Sequence, residues 1–206
     1  MPDVQLFLLA SALLTLAPGP DNLQVLARGV AQGRRAALVA TCGFASGVMF
    51  HTLLAVAGVA LLIRSTPTLF TLLTYAGAAY LVWLGVAAWR GRALEFVAED
   101  AAVLPLWRVY RQSLLGNALN PKVSLFFVAF LPQFLRPEAG NAGSQMVLLG
   151  FLFMAQTLLI FGFIGWFAAG MGVWLRHRAA SGLWLNRMAG LVFVLIGLRM
   201  AFLDRG

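Results

Sequence analysis

Asp21 and Lys122 are charged residues inside long apolar stretches of this sequence, and each follows a proline, Pro20 or Pro121. Placing such a charge at the centre of a membrane helix costs about 2.5–3.5 kcal/mol, so the position needs a reason. One reason is chemical: the Asp21 carboxylate can exchange a proton or bind an ammonium group, and the Lys122 ammonium can bind a carboxylate. The structural alternative is an ion pair that only ties two helices together. We favour the chemical interpretation.

Prolines break the two stretches that carry these charges. Pro18, Pro20 and Pro121 lack a backbone N–H, so each leaves helix carbonyls without their usual donor. In a bilayer such carbonyls need other partners, and lining a polar cavity that binds a zwitterion or a coupling cation is one solution. Side-chain amides beside the breaks can both donate and accept hydrogen bonds. They belong to Asn22, Asn117 and Asn120.

His51 lies near the middle of the second apolar stretch, on the same helix face as Gly43 and Gly47. An imidazole ordinarily titrates near pH ~6.5, so this side chain could line the cavity or relay protons. A neutral histidine that only bonds to a neighbouring helix is an equally good interpretation. The two glycines are expected to allow close helix packing.

The elements that must position these residues are membrane-spanning helices. Hydrophobic residues make up 61% of the chain and charged residues 11%, whereas an average soluble domain has about 25% charged residues. Backbone groups find no water in lipid, so apolar spans should be helical. Six stretches are long enough to cross the hydrocarbon core of a bilayer: 4–30, 36–63, 67–89, 111–135, 144–173 and 183–203.

A polar loop at 90–110 divides the six predicted spans into two groups of three. If repeat one, at about 4–89, and repeat two, at about 111–203, are homologous, they insert with opposite orientations, as in many secondary transporters. The broken helices are the first of each group, which points to a binding site where the breaks meet. The predicted fold is therefore an all-α membrane protein, a single transporter domain over 1–206. It has six transmembrane helices in two inverted repeats, with helices one and four broken at their prolines.

Basic residues are distributed unevenly between the two ends of the predicted spans. By the positive-inside rule, the richer side is cytoplasmic and both termini lie outside. The richer side holds Arg28, Arg34, Arg35, Arg90, Arg92, Arg108, Arg111, Arg176, Arg178 and Arg187. The opposite side holds Arg64, Arg136, Arg199 and Arg205.

Composition and motifs also bear on other function classes. The net charge of +8 is spread singly between apolar stretches, so nucleic-acid binding is not expected. Cys42 is the only cysteine, which excludes an intramolecular disulfide and a cysteine-rich metal site. His51 lies about 140° around its helix from Ser46, too far to act as its base. No catalytic residue, cofactor or metal is predicted, and a membrane-embedded enzyme or a passive channel subunit stays the alternative.

Several motifs together match the pattern of one known family. They are the segment 18–22, the segment 120–122 followed by 125–127 and 131–134, the pair Gly43 and Gly47, and the segment 75–81. Judged by these motifs, the chain resembles the LysE/RhtB family of bacterial amino-acid exporters over nearly its whole length. The resemblance implies an inner-membrane efflux carrier for amino acids or close derivatives, driven by the proton gradient.

The resemblance also implies that the proline motifs form the transport core. Expected partners are an amino-acid substrate, protons and the lipid bilayer, and homo-oligomerisation is left open. The amino acid is not predicted, because spans five and six vary widely within such families. Together with His51, the predicted substrate-binding and transport residues are Pro18, Gly19, Pro20, Asp21, Asn22, Asn117, Asn120, Pro121 and Lys122.

Overall fold

The computed structural model describes residues 2, 4–17, 19–62, 67–90, 103–136 and 140–175, together with single positions between 187 and 198. All secondary structure in these ranges is helical, which confirms the all-α prediction. The helices are α1 (Val4–Leu16), α2 (Pro20–Gln32), α3 (Arg34–Leu62), α4 (Pro67–Arg90), α5 (Leu106–Ala118), α6 (Pro121–Leu125) and α7 (Ala142–Leu175). A π-helical turn (Phe126–Phe130) and a 3-10 turn (Leu131–Phe134) follow α6.

Sharp bends occur at the two predicted breaks. The axes of α1 and α2 differ by 58°, and α5 differs by 47° from the helical segment Pro121–Phe134. Pro20 and Pro121 stand at the first positions of α2 and α6, where a missing N–H removes no helical hydrogen bond. Each proline therefore starts a helix in a new direction. Pro18, the remaining predicted helix breaker, lies outside the described residues.

Two helices are long and apolar enough to cross a membrane unaided, over Arg34–Gly58 in α3 and Ala142–Ala168 in α7. Counting each bent pair as one span raises the number of candidate spans to 4. α4 adds a shorter apolar stretch, Tyr75–Ala87. The described chain is thus a multi-pass helical membrane protein. The predicted sixth span, 183–203, lies mostly outside the described residues, so the count of six stays a prediction.

α5 begins at Leu106, before the predicted start of the fourth span at 111. The end of the segment 90–110 is therefore helical rather than a loop. Arg108 and Arg111 of α5 are exposed, and their guanidinium groups lie over the Trp107 ring. The charged residues therefore mark the exposed face of a helix and do not indicate a loop. Val109 on the opposite face is fully buried. Residues 91–102 of the segment lie outside the described residues.

Glycines allow α3 to lie between α5 and α7 with little space on either side. A Cβ at Gly43 would lie 2.5 Å from the Tyr110 carbonyl oxygen of α5. A Cβ at Gly165 of α7 would lie 2.7 Å from the Cβ of Ala37 in α3. The approach at Gly43 confirms the close packing predicted there, and the two contacts together hold α3 tightly between α5 and α7.

Two apolar clusters lie on opposite sides of the bends. One cluster contains residues of α1, which precedes the first bend, and residues that follow the second bend, and α7 contributes to it as well. The other contains Val25 and Phe44, which pack with Val109 and Phe161 in the region after the first bend and before the second. The buried rings of the first cluster are called the aromatic plug below, and they belong to Phe7, Phe126, Phe127, Phe130, Phe134 and Phe153.

Candidate transport site

The carbonyls at the end of α1 are bound by a side chain from the second bend. Lys122 Nζ donates to the carbonyl oxygen of Leu14 at 3.1 Å and to that of Ala17 at 3.2 Å. In an unbroken helix, Leu14 would accept from the residue at 18, which is a proline without an N–H. The helix dipole also favours a cation at the carbonyl end. Lys122 therefore caps α1 across the bend.

The Asp21 carboxylate is held by two amides of the second bend. Asn117 Nδ2 donates to its Oδ2 at 2.7 Å, and Asn120 Nδ2 donates to its Oδ1 at 2.9 Å. Asp21 is only 5% exposed, and it lies in the first turn of α2, where the helix dipole favours negative charge. The buried carboxylate thus has a neutral donor on each oxygen.

Asn120 joins the two charges, which do not bind each other directly. Its Oδ1 accepts from the backbone N–H of Lys122 at 3.0 Å, as an N-cap of α6, while its Nδ2 binds Asp21. Among the described residues, Asp21 and Lys122 bind amides and carbonyls rather than forming an ion pair. The structural alternative considered for these residues therefore does not describe this conformation.

Two buried amide oxygens of the cluster have no hydrogen-bond partner among the described residues. They are Asn22 Oδ1 and Asn117 Oδ1. The amide nitrogens of both side chains are engaged, that of Asn22 with the Thr15 carbonyl oxygen at 2.8 Å. A buried acceptor that lacks a donor costs about 1–3 kcal/mol. Like the Asp21 carboxylate, these oxygens are acceptors of the type that an ammonium group binds.

His51 contacts the second bend from α3. Its Nε2 lies 2.9 Å from the carbonyl oxygen of Asn117, and because that oxygen can only accept, Nε2 carries the proton. The buried ring also stacks on Phe127 with 5.7 Å between ring centroids. His51 therefore bonds to a neighbouring helix, as one interpretation expects, and does so at the residue that holds Asp21.

The remaining predicted residues also lie at the bends. A Cβ at Gly19 would lie 3.2 Å from Lys122 Nζ, so a larger residue at 19 would crowd the ammonium group. Pro20 and Pro121 start the helices that carry Asp21 and Lys122. Except for Pro18, each predicted residue is described and lies at or against a bend. Within the described ranges, no three His, Cys, Asp or Glu side chains are grouped as metal ligands.

The backbone acceptors of Leu14, Thr15 and Ala17 are not visible in the residue types, because every residue has the same carbonyl oxygen. The distance from a proline is the one available signal, and it points to Leu14. Gln24 and Ser113 are also absent from the predicted set, although Gln24 Nε2 donates to Ser113 Oγ at 3.1 Å. Helical spacing from Asp21 and Asn117 is the signal that could have found them.

Replacing Gly47 with alanine is expected to disturb the cluster without adding polarity. A Cβ there would lie 2.5 Å from Asn117 Oδ1 and 2.6 Å from Asn117 Cβ, so α3 and α5 must separate and the bond from Asn117 to Asp21 must weaken. We expect Gly47→Ala to lower both the melting temperature in detergent and the rate of substrate exchange.

The matched control is Gly58→Ala on the same helix, where a Cβ would have open space. Alanine favours a helix over glycine by about 0.8–1.0 kcal/mol, so this variant should be at least as stable as the native protein. Equal behaviour of the two variants in both measurements would contradict the predicted role of the Gly47 contact.

Comparisons with known proteins agree with the motifs. The chain matches the family model described as LysE type translocator over residues 12–203. It is 34% identical over 208 residues to an uncharacterized membrane protein of Pseudomonas aeruginosa, and this similarity covers 97% of the chain and 94% of the relative. No solved structure matches the chain.

Two further relatives are named as efflux proteins. The leucine efflux protein of Salmonella choleraesuis is 33% identical over 209 residues, covering 96% of this chain and 94% of the relative. The homoserine/homoserine lactone efflux protein of Salmonella typhimurium is 28% identical over 195 residues, covering 95% and 94%. The family model matches most of the chain, and the motifs predict the same family. This protein therefore belongs to the LysE type translocator family.

Proposed function

We propose that this chain is a secondary transporter that exports amino acids or close derivatives across the bacterial inner membrane in exchange for protons. The observation that carries the proposal is the Asp21 carboxylate, buried where two bent helices meet and bound by the neutral amides of Asn117 and Asn120. Because its direct partners among the described residues are neutral amides and not a cation, this carboxylate can bind either a proton or a substrate ammonium group.

A zwitterionic substrate fits the charges of the cluster. Its ammonium group would bind Asp21 together with the two unpartnered oxygens, Asn22 Oδ1 and Asn117 Oδ1. Its carboxylate would bind Lys122, whose ammonium has three donors, of which two bind described carbonyls. His51, Gly19, Pro20 and Pro121 would act by positioning these groups.

Competition for one carboxylate provides a physical basis for antiport. A proton on Asp21 removes the charge that the substrate ammonium needs, and a bound ammonium disfavours protonation of the same group. The two ligands therefore oppose each other's binding by the same factor in both directions. Exchange of one for the other across the membrane is the transport that such a site supports.

The proposed topology has six spans in two inverted repeats, with the termini outside. The bends at 58° and 47° support it, because each occurs in the first span of its group of three. The exposed arginines of the described part of the basic side, at the start of α3 and of α5, support the assignment of that side to the cytoplasm.

The test is transport by the purified protein in liposomes with an acidic lumen and a neutral exterior. Labelled leucine, homoserine and homoserine lactone are the first substrates, because relatives are named for them. We expect at least one to accumulate inside, and the accumulation to collapse when an ionophore removes the pH gradient. Saturable exchange without any effect of the gradient would reject proton coupling while retaining amino-acid transport.

The same assay separates the alternative functions. A passive channel subunit equilibrates a zwitterion but cannot concentrate it, so accumulation of leucine or homoserine above the external concentration excludes a channel. A membrane-embedded enzyme would change the compound chemically, which chromatography of the lumenal contents would detect. Failure of every amino acid and derivative tested, with the relatives' substrates included, would reject the proposed substrate class.

A further inference from the structure

A row of polar side chains extends from the Asp21 cluster along one face of α2. Gln24, Arg28 and Gln32 follow Asp21 at intervals of three or four residues, which is the spacing of a single helix face. This row points towards the C-terminal end of α2, where Arg34 at the start of α3 is exposed. It therefore connects the buried site with the basic side of the protein.

Each of these side chains binds a polar group on or next to α5. Gln24 Nε2 donates to Ser113 Oγ at 3.1 Å, and Arg28 Nη2 donates to Gln112 Oε1 at 3.1 Å. Gln32 Nε2 donates to the Leu104 carbonyl oxygen at 2.6 Å and its Oε1 accepts from the Leu104 N–H at 3.1 Å. These bonds, which join α2 to α5 and to Leu104 just before it, are called the polar seam below.

The polar seam holds two helices that otherwise touch little. α5 packs extensively against α3, whereas its contact with α2 is small and includes the hydrogen bonds of these side chains. Side chains of this length can exchange their partners for water when the helices move apart. The α3–α5 contact at Gly43 has no such freedom, because the two helices approach there so closely that no space is left even for a Cβ.

The opposite side of the site has a different chemistry. There, the aromatic plug packs ring against ring, with centroid distances such as 4.8 Å between Phe130 and Phe134 and 5.3 Å between Phe7 and Phe134. A path through the plug would have to expose apolar rings to water. A path along the polar seam would only replace protein hydrogen bonds with water hydrogen bonds, which changes free energy little.

We propose that the polar seam is the path by which substrate moves between the cytoplasm and the Asp21 cluster, closed in this structure and opened when α2 separates from α5. This inference rests on the proposed transport function. Gln24 and Ser113 are the first pair beyond Asp21 and close the path next to the site, and Arg28, which is 8% exposed, closes it with Gln112 nearer the basic side.

The test joins α2 to α5 covalently and asks whether transport stops. In a Cys42→Ala background, Gln24→Cys with Ser113→Cys is bridged by a bifunctional methanethiosulfonate, which reducing agent removes. The matched control is Ser46→Cys with Tyr110→Cys, because Tyr110 Oη donates to Ser46 Oγ at 2.8 Å across the α3–α5 contact that stays closed. Exchange of labelled substrate in liposomes is measured before bridging, after bridging and after reduction.

We expect the α2–α5 bridge to reduce exchange to the level of protein-free liposomes and reduction to restore it, whereas the α3–α5 bridge leaves exchange unchanged. Full exchange through a quantitatively bridged α2–α5 pair would overturn the proposal. Equal loss with both bridges would overturn it as well, because α2–α5 separation would then have no special role.

A second measurement does not depend on the identity of the substrate, so it separates failure of this inference from failure of the proposed function. Single Gln24→Cys and Ser46→Cys variants are treated with a charged, membrane-impermeant maleimide in inside-out and right-side-out vesicles. We expect Gln24→Cys to react in inside-out vesicles only, and Ser46→Cys to react in neither. Reaction of Gln24→Cys from the outer side alone, or from neither side, would overturn the proposed path even if amino-acid export is confirmed.

Discussion

Asp21→Asn is expected to abolish accumulation driven by a pH gradient while leaving exchange between labelled and unlabelled substrate measurable. The substitution removes the one group of the cluster that the proposed mechanism protonates, but it keeps an oxygen that can accept from a substrate ammonium group. Liposomes with an acidic lumen should therefore accumulate no more substrate than protein-free liposomes, and counterflow at equal pH should persist.

The geometry explains why this variant should still fold. Asparagine at 21 can accept one of the two bonds that Asp21 now accepts, and its own amide nitrogen needs an acceptor. Asn117 Oδ1 is without a described partner, so rotation of the Asn117 amide can supply that acceptor. Asn120 cannot rotate in the same way, because its Oδ1 caps α6 through the Lys122 N–H.

Asp21→Glu is the control, because it keeps a titratable carboxylate at a longer reach. It should retain part of the gradient-driven accumulation that Asp21→Asn loses. Gradient-driven accumulation by Asp21→Asn at the native level would show that protons are coupled elsewhere, and His51 would then be the first residue to test.

Lys122→Met is expected to produce the second large effect. Methionine keeps an apolar stem but removes the ammonium group, so the Leu14 and Ala17 carbonyls lose a charged donor and a substrate carboxylate loses its proposed partner. A hydrogen bond to a charged group contributes about 1.5–3 kcal/mol, which corresponds to about 10- to 150-fold weaker binding. The affinity for homoserine, which has a carboxylate, should fall by that factor.

Homoserine lactone is the matched substrate, because its carboxyl group is closed in a ring and carries no charge. If Lys122 binds the substrate carboxylate, calorimetry on Lys122→Met should show a much smaller loss for the lactone than for homoserine. Equal losses, together with a lower melting temperature, would show that Lys122 acts only as the cap of α1. Lys122→Arg keeps the charge, so its affinity for homoserine should lie between those of the native protein and of Lys122→Met.

Much of the fold can be predicted from particular residues. Pro20 and Pro121 predict breaks within apolar stretches, and the structure has its two sharp bends there. Gly43 and Gly47 predict a close helix contact, which α5 makes. The start of α5 at Leu106 is not predicted, because the sequence pattern of Arg108 and Arg111 resembles a solvated loop until Val109 is seen to be buried.

The sequence by itself determined which groups are present at the bends: one acid, one base, several amides and carbonyls that proline leaves without donors. Backbone sterics and the cost of unpaired polar groups in lipid are local, so these conclusions need no knowledge of neighbouring helices. Only the tertiary structure decided which groups bind each other. Asp21 binds the asparagines, Lys122 binds α1 and Gln24 begins a polar seam with α5, because these partners lie 89 to 108 positions apart in the sequence and meet only when the helices pack.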